Sequence, residues 1–194
     1  GAAGTLTIQD IEKAKETIIN SNFFLTQLEV PMEIVEHSLR IAKDNGVKTI
    51  LNPAPATKLD KKIYPLIDYF IPNETEASFY LSKHISNETD AKKYTKDLLS
   101  LGIKNVIITL GDKGAYFENK IESHFEPSLE LGERVVDTTG AGDAFCGAFA
   151  TYLCENKSII ESIKFANAFA GISTTRIGTA NSMPTRDEIE KILK

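Results

Sequence analysis

The stretch VVDTTGAGDAFCGAF, residues 135–149, decides the fold. Its two valines read as the end of a strand. Asp137, two threonines and a Gly-Ala-Gly turn follow, and Asp143 then opens an apolar run whose regularly spaced small residues read as a helix over 142–155. A strand that passes through a glycine turn into a helix is the joint from which α/β proteins are built. Glycines let the backbone approach a ligand closely, and the first N–H groups of a helix carry partial positive charge. Gly140, Ala141 and Gly142 therefore form a candidate anion hole, with phosphate as its natural guest. The same dipole stabilises a carboxylate, so Asp143 has two readings. It is either a plain helix-terminus charge or a base that takes a proton from a hydroxyl while the hole stabilises charge on a transferring phosphoryl group.

Working outward, residues 7–20 have helical apolar spacing with Thr7 placed to cap. Residues 22–28 read as a strand buried on both faces that stops at Glu29. Pro31 is placed in the first turn of a helix over 31–45, which Gly46 ends, and a strand over 47–51 stops at Asn52. The prolines of NPAPA, 52–56, interrupt regular structure. A strand over 68–72 follows, then a helix over 73–84 capped by Asn73 and another over 90–101 closed by Gly102. Residues 105–117 read as strand, glycine turn and strand, 118–133 as hairpin-like, and 158–175 as a second long helix after the one at 142–155. The alternation predicts a three-layer α/β/α protein with a mostly parallel sheet, organised as one domain over 1–194. Ligands of such sheets bind outside the carboxyl ends of the strands. Glu29, Asn52, Asn73, 109–114 and Asp137 all follow strand ends, and five ends directed at one crevice outweigh any single residue among them.

Composition excludes several classes. A net charge of -5 does not suit a general nucleic-acid or anionic-membrane surface, which needs clustered Lys and Arg. No apolar run reaches the roughly 20 residues of a membrane span, and the first ten residues lack the order of a secretory signal. A soluble, cytoplasmic protein is expected. Cys146 and Cys154 stand about 12 Å apart along one predicted helix, too far for a disulfide, and read as reduced core thiols. His37, His84 and His124 are scattered and read as surface positions. Lys61 and Lys92 read as solvated faces, and Phe23, Phe24, Phe145, Phe149, Phe165 and Phe169 as core. Asn52 reads as a turn former first and a ligand contact second. No G-x-x-x-x-G-K-[ST] is present, and Phe145 stands where a dinucleotide fingerprint needs Gly or Ala.

The order QLE, NPAPA, PNETEA, TLGDKGAY, DTTGAGDAF resembles the ribokinase family of sugar and nucleoside kinases, the phosphofructokinase-B type, across nearly the whole chain. The resemblance implies ATP-dependent phosphorylation of D-ribose at its 5-hydroxyl, with magnesium (Mg2+) and potassium (K+). It implies that Asp143 is the base and that Gly140, Ala141 and Gly142 supply the anion-hole amides. Glu29 would hold a ribose hydroxyl, and Asn73 would contact the ATP phosphates with their magnesium. Thr109, Leu110, Gly111, Asp112, Lys113 and Gly114 would lie along the nucleotide, with Gly142 at its phosphates and Asn167 at its adenosine portion. A potassium site would use Asp137, Thr139, Ser173, Arg176, Gly178 and Ser182; Arg176 could offer only its backbone carbonyl, because a guanidinium has no acceptor.

The resemblance also implies an N-terminal section of about a hundred residues, with further strands and a β-sheet lid that makes a homodimer, to which nothing in this sequence corresponds. The expectation is a sheet truncated at its N-terminus and a chain with little or no turnover by itself, its partners being a small sugar and ATP. Two alternatives stay open: another sugar or nucleoside kinase of the same family, and a non-catalytic nucleotide-binding module.

Overall fold

The computed structural model describes residues 1–130 and 135–193. The chain divides into two compact units, Gly1–Thr109 with Phe117–Ser123, and Leu110–Tyr116 with His124–Lys194. The first unit runs α1 (Ile8–Ile19), β1 (Phe23–Thr26), α2 (Met32–Asp44), β2 (Lys48–Leu51), β3 (Tyr69–Phe70), α3 (Glu74–Leu81), α4 (Glu88–Ser100) and β4 (Asn105–Thr109). Its four strands are parallel, with Phe23 opposite Lys48, Ile50 opposite Tyr69, and Tyr69 opposite Asn105. Ile50, Leu51, Phe70, Val106, Ile107 and Ile108 are fully buried. Each such side chain contributes about 1.5–3 kcal/mol relative to exposure.

Helix starts are set by side chains. Thr7 accepts the Asp10 N–H while the Asp10 carboxylate accepts the Thr7 N–H, which closes a capping box ahead of α1. Ile11, Ile18 and Ile19 then pack against Ile41, Ala42, Val47 and Phe24. The helix expected from residue 90 starts two residues earlier, because the Asn87 side chain accepts the Asp90 N–H. β1 departs from expectation more clearly: Leu25 is 39% exposed, because β1 stands at one end of the sheet order and has one strand neighbour.

A buried charge ties the amino ends of β2, β3 and β4. Asp68, 5% exposed, accepts Lys43 Nζ at 2.6 Å, Lys104 Nζ at 2.7 Å and the Thr49 N–H at 3.0 Å. Burial pushes the Asp68 carboxyl up, but the bonds from Lys104, Lys43 and Thr49 outweigh it and hold the group below the usual carboxylate value. Because the folded value is depressed, this stabilisation is complete above the unfolded carboxyl value of about 3.9 and is lost as pH falls through the folded one. Asp68→Asn is expected to remove about 2 kcal/mol at neutral pH; the solvent-facing Lys104 limits the loss. Urea unfolding as a function of pH checks this: wild type should lose stability on acidification below about pH 4, and the variant should show a flatter curve there.

β5 (Gly114–Asn119) passes from the second unit into the first, and with β6 (Ser123–Pro127) completes the order β1-β2-β3-β4-β5-β6. The expected hairpin-like stretch ends partly in 131–134, which lie outside the described residues. The second unit also holds α5 (Ala141–Cys154), α6 (Ile159–Ser173) and α7 (Arg186–Ile192). α5 packs on α6, with the Tyr152 ring stacked 3.9 Å from that of Phe165. Cys146 is buried, but Cys154 is exposed and is not a core thiol. Eight residues at 3.6 per turn carry it about 80° around the helix from Cys146. The sequence reading did not include α7, although Thr185 and Glu188 form a capping box at its start.

Candidate active site

Parallel pairing puts the carboxyl ends of β1 to β4 on one edge of the first unit, and four flagged residues stand there. Glu29 is exposed in the bend after β1. Asn52, just past β2, is buried and committed: its Oδ1 accepts Gln27 Nε2 at 2.8 Å and its Nδ2 donates to the Ile71 carbonyl at 2.8 Å. It joins the ends of β1 and β3, which is a structural task. Asn73 caps α3 by accepting the Glu76 N–H at 2.8 Å, while Glu76 accepts the Asn73 N–H at 2.8 Å. Asn73 and Thr109 also form an isolated parallel bridge, so these two are brought together.

In the second unit, Leu110 to Gly114 form a tight loop. The Leu110 N–H donates to the Gly114 carbonyl at 2.8 Å, and the Ser128 N–H donates to the Lys113 carbonyl at 3.2 Å. Gly111, Asp112 and Lys113 are exposed, whereas Leu110 and Gly114 are buried. Asn167, on α6, donates its Nδ2 to the Pro127 carbonyl at 2.7 Å, fixing the strand end beside which this loop turns.

The glycine turn opens α5 as its sequence requires. Gly140 is the N-cap with φ 79°, the left-handed region that glycine enters without strain. The Ala141 N–H donates to the Thr138 carbonyl at 3.2 Å. Gly142 and Asp143 lie in the first turn, where N–H groups have no partner within the helix, and both residues are exposed. This end can receive an anion, and Asp143 stands at its mouth.

Asp137 is gripped from several sides. Its Oδ1 accepts the Thr139 N–H at 2.9 Å and its Oδ2 the Gly178 N–H at 3.1 Å. The Val136 and Asp137 N–H groups donate to the Thr174 carbonyl at 2.8 and 3.1 Å. Bonds from Thr139, then Gly178, hold the Asp137 carboxyl below its ordinary value. Ser173 and Ser182 are buried, with hydroxyls donating to the Ala170 and Thr179 carbonyls at 2.7 and 2.6 Å. The Arg176 guanidinium is held by Glu188, leaving its carbonyl as the oxygen it can offer. The six residues expected to hold potassium thus supply an anionic carboxylate and backbone carbonyls, a donor set that fits a hard cation.

Two features escaped the sequence reading. Glu76 is a buried carboxylate at the same edge as Asn73; burial raises it above the usual carboxylate value. Its signal was the Asn-x-x-Glu capping spacing. The Arg176–Glu188 pair has no local signal. Among the histidines, His37 meets Glu12 at 2.6 Å, His124 meets Glu126 at 2.9 Å, and His84 is exposed. Among the described residues no group of three or more His, Cys, Asp or Glu could hold a metal ion, and no helix is long and apolar enough to cross a membrane.

Residues 2–186 match the description pfkB family carbohydrate kinase. A ribokinase of Haemophilus influenzae is 40% identical over 194 residues, 100% of this chain and 63% of that protein. A deoxyribokinase of Salmonella typhi is 34% identical over 194 residues, with the same coverage of 100% and 63%. The solved structure of Arabidopsis thaliana ribokinase complexed with ribose and ATP is similar with a TM-score of 0.89 at 31% identity, covering 94% of this chain and 59% of that one. The chain therefore spans about 63% of the length of the curated relatives it matches.

Proposed function

Because the chain belongs to the pfkB family of carbohydrate kinases, we propose that the protein it forms part of transfers the γ-phosphoryl group of ATP to the 5-hydroxyl of D-ribose. The observation that carries this reading is Asp143, exposed in the first turn of α5 directly behind the Gly140 N-cap, on a chain 40% identical to a ribokinase along its full length. Asp143 takes the proton of the attacking hydroxyl, which turns a poor nucleophile into an alkoxide as the phosphorus–oxygen bond forms. The amides of the Gly140–Ala141–Gly142 turn, with the dipole of α5 behind them, stabilise charge on the phosphoryl oxygens. The Ala141 N–H has to turn from Thr138 toward the phosphoryl group to take part. Glu29 holds a sugar hydroxyl. Asn73 meets the phosphates with their magnesium, and Glu76 keeps Asn73 in place through the capping box. Residues 109–114 and Asn167 line the nucleotide. Such a site works chiefly by positioning and electrostatics.

Asp137, the carbonyl of Thr139, and groups of Ser173, Arg176, Gly178 and Ser182 would hold potassium. When bound, the ion supplies a fixed positive charge beside the anion hole.

The relative named deoxyribokinase favours one second reading, a sugar lacking the 2-hydroxyl. The test is ADP release by the whole protein with ribose, 2-deoxyribose, fructose and adenosine, with and without potassium. Ribose as the best substrate, with turnover raised by potassium, supports the proposal. Preference for 2-deoxyribose replaces the sugar, and silence across the panel favours a nucleotide-binding module.

A further inference from the structure

The proposed chemistry uses neither the Arg176 guanidinium nor Glu188, yet together they join the loop that grips Asp137 to α7. Arg176 donates to Glu188 Oε1 at 2.5 Å. The other carboxylate oxygen of Glu188 accepts the Thr185 N–H at 2.7 Å and the Thr185 hydroxyl at 3.1 Å. One side chain therefore both starts α7 and anchors Arg176. Bonding from Arg176 first, and then from Thr185, holds the Glu188 carboxyl down to about 2.

α7 is itself fixed to the helices of the anion-hole unit. Arg186 pairs with both carboxylate oxygens of Glu155, just past the end of α5, and donates to Glu190. Its guanidinium lies 5.4 Å over the Tyr152 ring, which stacks on Phe165 of α6. At the other end, Arg176 sits midway between the two residues that hold Asp137: Thr174, whose carbonyl takes the Val136 and Asp137 N–H groups, and Gly178, whose N–H meets the Asp137 carboxylate. Only one residue separates Arg176 from each contact, so its position sets theirs.

We infer that Glu188 is a positioning residue for the phosphoryl-transfer site, acting through Arg176 to keep the Gly178 N–H on Asp137 and, with it, the turn that leads into the anion hole. The catalytic half of this inference rests on the proposed function; the structural half does not. A partly exposed ion pair such as this one adds little to overall stability, so its effect is geometric, and a displacement of about 1 Å can cost about a hundredfold in rate.

Glu188→Gln in the whole protein isolates the effect, because Gln at this position still serves a capping box and lets α7 start, while the charge facing Arg176 is gone. Backbone hydrogen exchange at Gly178 and Thr139, the two N–H groups on Asp137, is expected to accelerate by about tenfold or more. In an active enzyme kcat should fall about ten- to a hundredfold with the sugar KM within about twofold, and more potassium should be needed for half-maximal rate. Unchanged exchange at both amides overturns the inference. Accelerated exchange with unchanged kcat and potassium dependence overturns its catalytic half. If wild type transfers phosphate to no sugar, the proposed function falls, and the exchange result alone decides the positioning. Arg176→Met removes the same contact from the loop side and serves where the Gln variant does not fold.

Discussion

Asp143→Asn in the whole protein is expected to lower kcat by about 10²–10⁴-fold with nucleotide affinity within about threefold of wild type. The substitution keeps the shape of the side chain while it removes the charge and exchanges one accepting oxygen for a donating NH2. Asp143 is the third residue of α5 and exposed, so the change opens no cavity. A base matters as the hydroxyl proton leaves, whereas the nucleotide is bound before that step and by other residues. The loss should therefore fall on kcat and on kcat/KM alike.

The competing reading of Asp143, a carboxylate placed only for the dipole of α5, makes a different forecast. Such a charge contributes about 0.3–1 kcal/mol, which for a chain of this size shifts Tm by no more than about 4 °C. Under that reading Asn lowers Tm slightly and leaves turnover within tenfold. Steady-state ADP release, nucleotide titration calorimetry and a thermal scan on the same preparation separate the two, and a kcat loss below tenfold removes Asp143 from the chemistry.

How much of this was legible follows from where the information sits along the chain. The unbroken apolar pieces Ile50–Leu51 of VKTIL and Val106–Ile108 of NVIIT suit strands covered on both faces, so the mostly parallel sheet was readable, whereas Val135 and Val136, expected to end a strand, are exposed and lie outside any strand. The depth of β1 was not readable, because a strand's own residues do not state whether it has one neighbour or two. Helix starts at Thr7 and Asn73 were readable from capping chemistry. α7 was passed over because Ile189 is its only buried residue among the described ones, too little to print a helical period among charges. The edge of strand ends carrying Glu29, Asn73 and Thr109 follows from parallel order alone. What spacing could not supply were partners fixed by the folded chain: Gln27 on Asn52 across 25 residues, Gly178 on Asp137 across 41, and Glu188 on Arg176 across 12.

Gly114→Ala is expected to destabilise the protein by more than about 4 kcal/mol, enough to leave much of it unfolded given the usual 5–15 kcal/mol total. Gly114 has φ 120° and ψ -143°, a region essentially closed to residues with a Cβ and costing about 1–3 kcal/mol on its own. Space adds to conformation: a Cβ there would lie 2.0 Å from the Glu126 carbonyl oxygen and 2.8 Å from both the Pro127 carbonyl carbon and the Ser128 nitrogen. All three are backbone atoms of β6 and its exit, so no side chain can swing aside. Relief requires β5 and β6 to part, which breaks the Ser128 bonds to Lys113 and Asp112 and opens the loop proposed to line the nucleotide. Gly46→Ala is the matched control. Gly46 also has positive φ, 77°, but a Cβ there meets nothing within 4 Å, so that variant pays only the conformational cost of about 1–2 kcal/mol. Urea midpoints for the pair separate the two costs. Gly46→Ala should remain folded with a modest shift, while Gly114→Ala should be largely unfolded or recovered insoluble. Equal, small shifts in both would mean that β5 and β6 do not approach this closely at Gly114.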